Sequence, residues 1–278
     1  MYYKAKNVLI GVVLHALLMS VALGCLFPLV WMVNASFKTE TEFREDHGLK
    51  PAVSVNVENY KVALSEGNLW LSFLNSVFYT FITVFGIVIV SSLAAYSFSR
   101  LEFPFKNVLF FIFLMAMMIP LPAGFVPVYV LLNKLHLANR SGYVLAMLNM
   151  GLSLSIYMLK TFFDQLPKDL EDAARIDGCG KFKIWWHVAL PLTGPALGVV
   201  VIFNSLNVWN EFVLASLLFT DDRMMPLQVK LLEFTSGNVI QHTLLMASLT
   251  IAVLPIVLLY LKMQKQIIKG ITAGALVG

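Results

Sequence analysis

An all-α, polytopic membrane architecture is predicted by three features of this 278-residue sequence: an excess of apolar residues, apolar runs long enough to cross a bilayer, and no strand-like alternation within them. Apolar residues make up 59% of the chain and charged ones 13%, against about half and about a quarter in soluble proteins. A soluble domain could not hide that much apolar surface. Runs over 8–33, 73–96 and 108–132 each exceed the about 20 residues that cross a hydrocarbon core at about 1.5 Å per residue. An open sheet would leave backbone groups unpaired in lipid, and barrel strands would alternate in and out.

Hydropathy along the chain predicts six transmembrane helices, at about 8–33, 73–98, 107–132, 143–162, 196–219 and 242–261, forming one membrane domain over 1–278. The first run could be mistaken for a signal peptide, since Lys4 and Lys6 precede it and Ala22-Leu-Gly-Cys25 is a weak lipoprotein-like site. It continues to residue 33 without an A-x-A site, so a retained span is expected. Six spans place both termini on one side. With that side cytoplasmic, Lys4, Lys6, Arg100, Lys106, Lys160, Lys168, Arg175, Lys181, Lys183, Lys262, Lys265 and Lys269 are inside, which satisfies the positive-inside bias. Glu40, Glu42, Glu45, Asp46, Glu58, Glu66, Asp221, Asp222 and Glu233 then all fall outside. The pI near 9.0 is accounted for by these short loops, and no basic domain exists for a nucleic-acid partner. Cys25 lies in the first span and Cys179 in the most basic loop, too far apart for a structural disulfide.

The largest non-spanning pieces are an external segment, 34–72, and a cytoplasmic loop, 163–195, ahead of a C-terminal tail over 262–278. Within the loop, Leu166-Pro-Lys-Asp-Leu-Glu-Asp-Ala-Ala-Arg-Ile-Asp-Gly178 reads as a short helix opened by Pro167 and stopped by Gly178, with acids near its start to suit the helix dipole. Leu170, Ala173, Ala174 and Asp177 share one small, partly apolar face, and Glu171 and Arg175 are spaced to pair at i, i+4. A second short helix is expected over 181–190, with Phe182, Trp185, Trp186 and Ala189 on one face and Pro191 and Pro195 ending it. Helices this short are marginal alone, so the pair must be held by the bundle and by a partner.

Polar residues inside spans are costly and therefore informative. Asn204, Asn207 and Glu211 fall at i, i+3 and i+7 of the fifth span, and Asn149 and Ser153 at i, i+4 of the fourth. They read either as the lining of a translocation path or as interhelical hydrogen bonds. Pro120, Pro122 and Pro127 should kink the third span. His15 has no second ligand at metal-binding spacing and reads as a hydrogen-bonded packing residue, so no metal site is expected. Met115, Met117 and Met118 read as lipid-facing or core bulk rather than a cofactor pocket.

The Asp172-Ala-Ala-x-x-x-Gly178 core followed by Val188-Ala-Leu-Pro191 resembles the EAA loop of permease subunits in binding-protein-dependent ABC importers, and Glu171-Asp-Ala-Ala-Arg-Ile-Asp-Gly178 resembles the carbohydrate-uptake branch. Ala35-Ser-Phe-Lys38, Ala94-Ala-Tyr-Ser-Phe-Ser-Arg100, Ile119-Pro120 with Pro127, and Trp209-Asn-Glu-Phe212 match the same branch, so the resemblance covers nearly the whole chain. The ending, Gly270-Ile-Thr-Ala-Gly-Ala-Leu-Val-Gly278, is similar to the tail of the smaller maltose-type permease subunit, which reaches into the nucleotide-binding dimer.

The resemblance implies a type I importer permease fold in a prokaryotic inner membrane and no enzymatic chemistry on this chain. It implies a second related permease, two ATPase subunits that hold ATP and Mg, and an extracytoplasmic solute-binding protein that delivers a sugar and docks on the external segment. Glu171, Asp172, Ala173, Ala174, Arg175, Asp177 and Gly178 would couple ATP hydrolysis to movement of the spans. The rivals are a permease for a non-sugar solute, an ion-driven secondary transporter, and a membrane-embedded enzyme. The last would need a Ser/His, paired-Asp or metal constellation that the sequence does not offer. No Gly-rich phosphate loop is present, so ATP hydrolysis belongs elsewhere.

Overall fold

Wherever an apolar run is uninterrupted it forms helix. The computed structural model describes residues 2–65, 68–236 and 241–275, and all regular structure among them is helical. In chain order the helices are α1 (Tyr2–Ser36), α2 (Glu40–Asp46), α3 (Glu58–Ser65), α4 (Leu69–Arg100), α5 (Lys106–Ala116), α6 (Leu121–Lys134), α7 (Arg140–Gln165), α8 (Lys168–Ile176), α9 (Lys181–Leu192, π-helical over Trp185–Ala189), α10 (Gly194–Trp209), α11 (Val213–Leu218), α12 (Leu227–Ser236) and α13 (His242–Ala275). The last residues of the tail, 276–278, lie outside the described residues.

Among the described residues, four helices are long and apolar enough to cross a membrane: residues 9–36 of α1, α4, α7, and residues 242–265 of α13. A fifth crossing is available if α9 and α10, which meet at 79°, act as one bent span. The third expected span, 107–132, is not a continuous helix. Helix α5 ends at Ala116 and α6 begins at Leu121, after Pro120 in extended backbone (φ −64°, ψ 125°). Pro120 has no N–H to give to a ladder, and Pro122 sits in the first turn of α6, where that loss costs nothing. Pro127 is accommodated inside α6. With 11 residues, α5 reaches about 16 Å, roughly half of the hydrocarbon core.

The chain divides into two compact units, Met1–Trp70 with Leu231–Leu254, and Leu71–Lys230 with Pro255–Gly278. In the second, α4 turns a stripe inward that includes Ser76, Tyr79, Thr83, Ile87, Ser91 and Ala95, recurring every three or four residues. Small side chains there permit close helix approach. These three helices meet closely at Gly151 on α7, where a Cβ would run into both Ile87 of α4 and the side-chain oxygen of Asn204 on α10.

In the first unit, the most apolar window of α1 buries none of its residues inside the chain. Its only described histidine, His15, bonds back to Gly11 O at 2.7 Å. The following segment is knotted by polar groups. Thr39 and Glu42 form a reciprocal capping box at the start of α2. Asn34 donates to Gly48 O and Lys50 O and accepts from Ala52 N. Lys38, only 1% exposed, pairs with Asp46 at 2.6 Å. Glu40 accepts from Thr243 N at 3.2 Å and meets His242 Nδ1 at 2.9 Å, while Phe43 stacks on the His242 ring.

Two outcomes are expected. Replacing Gly151 with leucine overpacks the α4–α7–α10 meeting point and should cost about 1–3 kcal/mol, read as a lower melting temperature of the purified protein in nanodiscs. The second concerns acid. The hydrogen bond from Lys38, reinforced by Gly48 N–H, outweighs burial and holds Asp46 below its ordinary value of 3.8. A carboxyl depressed in the fold stabilises it at pH values above the unfolded value, and that contribution disappears as pH falls through the folded one. Hydrogen-exchange protection of residues 39–52 should therefore hold from neutral pH down to about 4 and drop below it. Lys38→Met should lower protection at neutral pH and shrink the acid step, the remainder belonging to the backbone bonds of Asp46 and to Glu40, which, against burial, is also held below its ordinary value by its bonds to His242 and Thr243.

Candidate functional site

Helix α8 is closed at its C-terminus by a Schellman motif. Gly178 takes φ +82°, its N–H donates to Arg175 O at 3.0 Å, and Cys179 N–H donates to Ala174 O at 2.9 Å. A Cβ at Gly178 would meet nothing, so the requirement is the backbone angle rather than space. Asp169 and Glu171 occupy the first turn of α8.

The inward face of α8 differs from the expected one. Leu170, Ala173 and Asp177 are exposed, and the buried residues are Ala174 and Glu171, the latter 3% exposed. Arg100 Nε meets Glu171 Oε1 at 2.6 Å, and Tyr96 Oη donates to Oε2 at 3.2 Å. Arg100 Nη2 also donates to Leu166 O at 2.7 Å. The anticipated i, i+4 partner, Arg175, does form an ion pair with Glu171, at 3.8 Å, and a shorter one with Asp172 at the surface, at 2.5 Å. A buried cation outcompetes a solvated one because little water screens the pair. The outward face carries Leu170, Asp172, Ala173, Asp177, Gly178 and Ile176, which is 87% exposed.

Helix α9 also turns differently. Ile184, Trp185 and Ala189 are buried while Phe182 and Trp186 are exposed, and the helix is π-helical over Trp185–Ala189. Pro191 lies inside the last turn instead of ending it. Ile184, Trp185, Ala189 and Ala174 pack with Tyr96, Phe98 and Phe163 in one apolar cluster that seats the α8–α9 element on the ends of α4 and α7. Tyr96 and Arg100 were not among the expected site residues. The signal was present in Ala94–Arg100, where they stand four apart and share a helix face.

A second feature is a cavity of about 140 Å³ lined by Phe125, Met147, Met150, Gly151, Asn204, Asn207, Val208 and Glu211. It gathers Asn204, Asn207 and Glu211, while Asn149 is exposed and Ser153 half-buried away from its lining. Ser155 is the α7 residue that holds Asn204, accepting from its amide at 2.9 Å. The fifth expected span, 196–219, is interrupted. Helix α10 ends at Trp209, and Glu211 stands in the break before α11 rather than on a continuous helix. Its carboxylate accepts from Leu214 N at 2.6 Å, Ala215 N at 3.2 Å and Tyr143 Oη at 3.0 Å. Glu211 thus satisfies the free amides of a helix start, and Tyr143 is a partner that hydropathy could not single out.

Residues 87–273 match the family described as the inner membrane component of binding-protein-dependent transport systems. The chain is 33% identical to a probable starch degradation products transport permease, AmyC, of Thermoanaerobacterium thermosulfurigenes, covering 91% of this chain and 94% of that protein. It is 34% identical to the trehalose/maltose transport permease MalG of Thermococcus litoralis, covering 99% and 98%. A chain of a bacterial ABC transporter involved in import of the acidic polysaccharide alginate superposes with a TM-score of 0.84 at 24% identity, covering 94% of this chain and 97% of that one, which shows a shared fold. With the family match spanning most of its length, this all-helical, multi-pass chain belongs to the binding-protein-dependent transport system inner membrane component family.

Proposed function

We propose that this chain is the transmembrane permease subunit of an ATP-driven importer that moves a sugar or oligosaccharide delivered by a solute-binding protein. The observation that carries the mechanism is α8: a short helix seated on two spans, with a small, partly apolar outer face ending at a left-handed glycine. The relatives named for starch products, trehalose and maltose support the substrate class. A diacetylchitobiose uptake permease of Streptomyces coelicolor, 30% identical, adds to that support.

In this reading the chain crosses six times with both termini cytoplasmic. The pair α5–α6 serves as the third crossing, and the broken sequence α10–α11 as the fifth. A related permease, two ATPase subunits and an extracytoplasmic binding protein complete the assembly, and ATP and Mg sit on the ATPase subunits. Asp172, Ala173, Asp177 and Gly178, with Ile176 beside them, present the surface that an ATPase groove grips. Glu171, Ala174 and Arg175 hold that surface in place. Asn204, Asn207 and Glu211 line part of the translocation path; Asn149 and Ser153, on the same span as Gly151, extend it beyond the cavity they do not line.

Reconstitution with the partner subunits and measurement of ATP-dependent uptake across labelled oligosaccharides, amino acids and osmolytes tests the reading. Uptake of one sugar class is expected. A non-sugar alone would overturn the substrate class, and ATP-independent, ion-driven uptake would overturn the importer. Gly178→Val puts a β-branched residue at positive φ, costing about 1–2 kcal/mol locally. It should leave ATP hydrolysis running with sugar uptake largely lost. Gly178→Asn, which tolerates the left-handed region, should retain most uptake.

A further inference from the structure

The Ala94–Arg100 stretch has no task in the coupling scheme above, yet its two longest polar side chains, Tyr96 and Arg100, both end on Glu171. We propose that Arg100 is a positioning residue for coupling: with Tyr96 it clamps α8 to the last turn of α4, so that the coupling helix and this span move as one body. This rests on the importer reading.

Helix α8 has nine residues, too few to be stable alone in water, so its orientation depends on what holds it. The guanidinium supplies a rigid fork with donors on two sides. One donor takes the Glu171 carboxylate and the other takes Leu166 O, the residue that caps the end of α7. Ser99, next in sequence, donates to Asp164 Oδ1 at 2.6 Å, joining α4 to α7 a second time. The Arg100 and Glu171 side chains are 5% and 4% exposed. Sliding α8 along α4 would strip both charges of their partner away from water, which is costly. Both oxygens of Glu171 face inward partners, so this acid anchors the helix and leaves contact with the ATPase to its neighbours. A push on the outer face of α8 is then delivered to the end of α4, a 32-residue rod, and tilts it.

The test uses the complete transporter in proteoliposomes, with Cys25→Ser and Cys179→Ser as the parent background. Maltose and a series of labelled oligosaccharides serve as probes, and sugar moved per ATP hydrolysed is the readout. Arg100→Cys with Glu171→Cys should lower that ratio about tenfold. A reversible bifunctional methanethiosulfonate joining the two cysteines should restore it, and dithiothreitol should abolish the restoration. An unchanged ratio before cross-linking overturns the proposal. So does a cross-linked transporter that hydrolyses ATP without moving sugar, since α8 must then slide on α4.

Single substitutions provide a second measurement should the double-cysteine protein fail to assemble. Arg100→Lys keeps a charge for Glu171 but gives up the second arm to Leu166 O, so its ratio should fall between the parent and Arg100→Gln, and equal effects of the two overturn the clamp. A parent that hydrolyses ATP but takes up only a non-sugar solute, added in parallel, defeats the substrate class while the clamp is still tested on that solute's ratio. A parent whose uptake ignores ATP defeats the importer reading and the clamp with it.

Discussion

In a hydrocarbon solvent an unpaired backbone amide or carbonyl costs several kcal/mol, so a chain of this composition can interrupt a helix only where something replaces the lost bonds. Each interruption here meets that condition in its own way. Between α5 and α6 the amides of Met117, Met118 and Ile119 bond three residues back, to Leu114, Met115 and Ala116, and Pro120 has no amide to lose. At the 79° bend between α9 and α10 the Thr193 hydroxyl donates to Leu190 O at 2.9 Å and lies 3.2 Å from Ala189 O. Between α10 and α11 the Glu211 carboxylate takes two amides of the new helix.

That condition changes how the polar residues of the spans are read. A charge in a span is expensive and is therefore a default functional site. Glu211 has a complete structural explanation as the cap of α11 and the partner of Tyr143, and it also faces the cavity with Asn204 and Asn207. The two tasks are compatible. The bonds of Glu211 to the start of α11 and to Tyr143 hold the carboxylate where it still forms part of the cavity wall.

The helical class, the positions of the long spans and the α8–α9 element were legible in the sequence because they depend on local composition and punctuation. Prolines announced the α5–α6 break but not its extent. The α10–α11 break was not legible, because Trp209-Asn-Glu-Phe212 sits in an apolar window and its cause, capping by Glu211, is a matter of geometry. Hydropathy was also blind to what each span touches. The apolar stretches of α1 and α4 are about equally hydrophobic, yet 0% and 33% of them are buried within the chain. The distinguishing mark is the serine and threonine stripe on the inward face of α4, which α1 lacks. Glu171 is the clearest case of a local rule supplemented by a distant contact. Its i, i+4 pair with Arg175 forms at 3.8 Å, but the shorter contact comes from Arg100, 71 residues away, in the interior.

The adjacent acids of α8 then acquire opposite tasks from position alone. Successive residues on a helix point about 100° apart, so when Glu171 turns toward Arg100 and Tyr96, Asp172 is carried to the outer face. Asp172 is held there by Arg175 at 2.5 Å. Inserting or deleting one residue between Leu166 and Glu171 would rotate this arrangement, placing a different side chain against Arg100 and turning Glu171 away. The Schellman closure at Gly178 constrains the other end in the same way, by sending the chain into α9 at a set angle. Spacing along this segment therefore matters as much as residue type: the buried acid, the exposed acid and the left-handed glycine must keep their register for one face to hold while the other is offered.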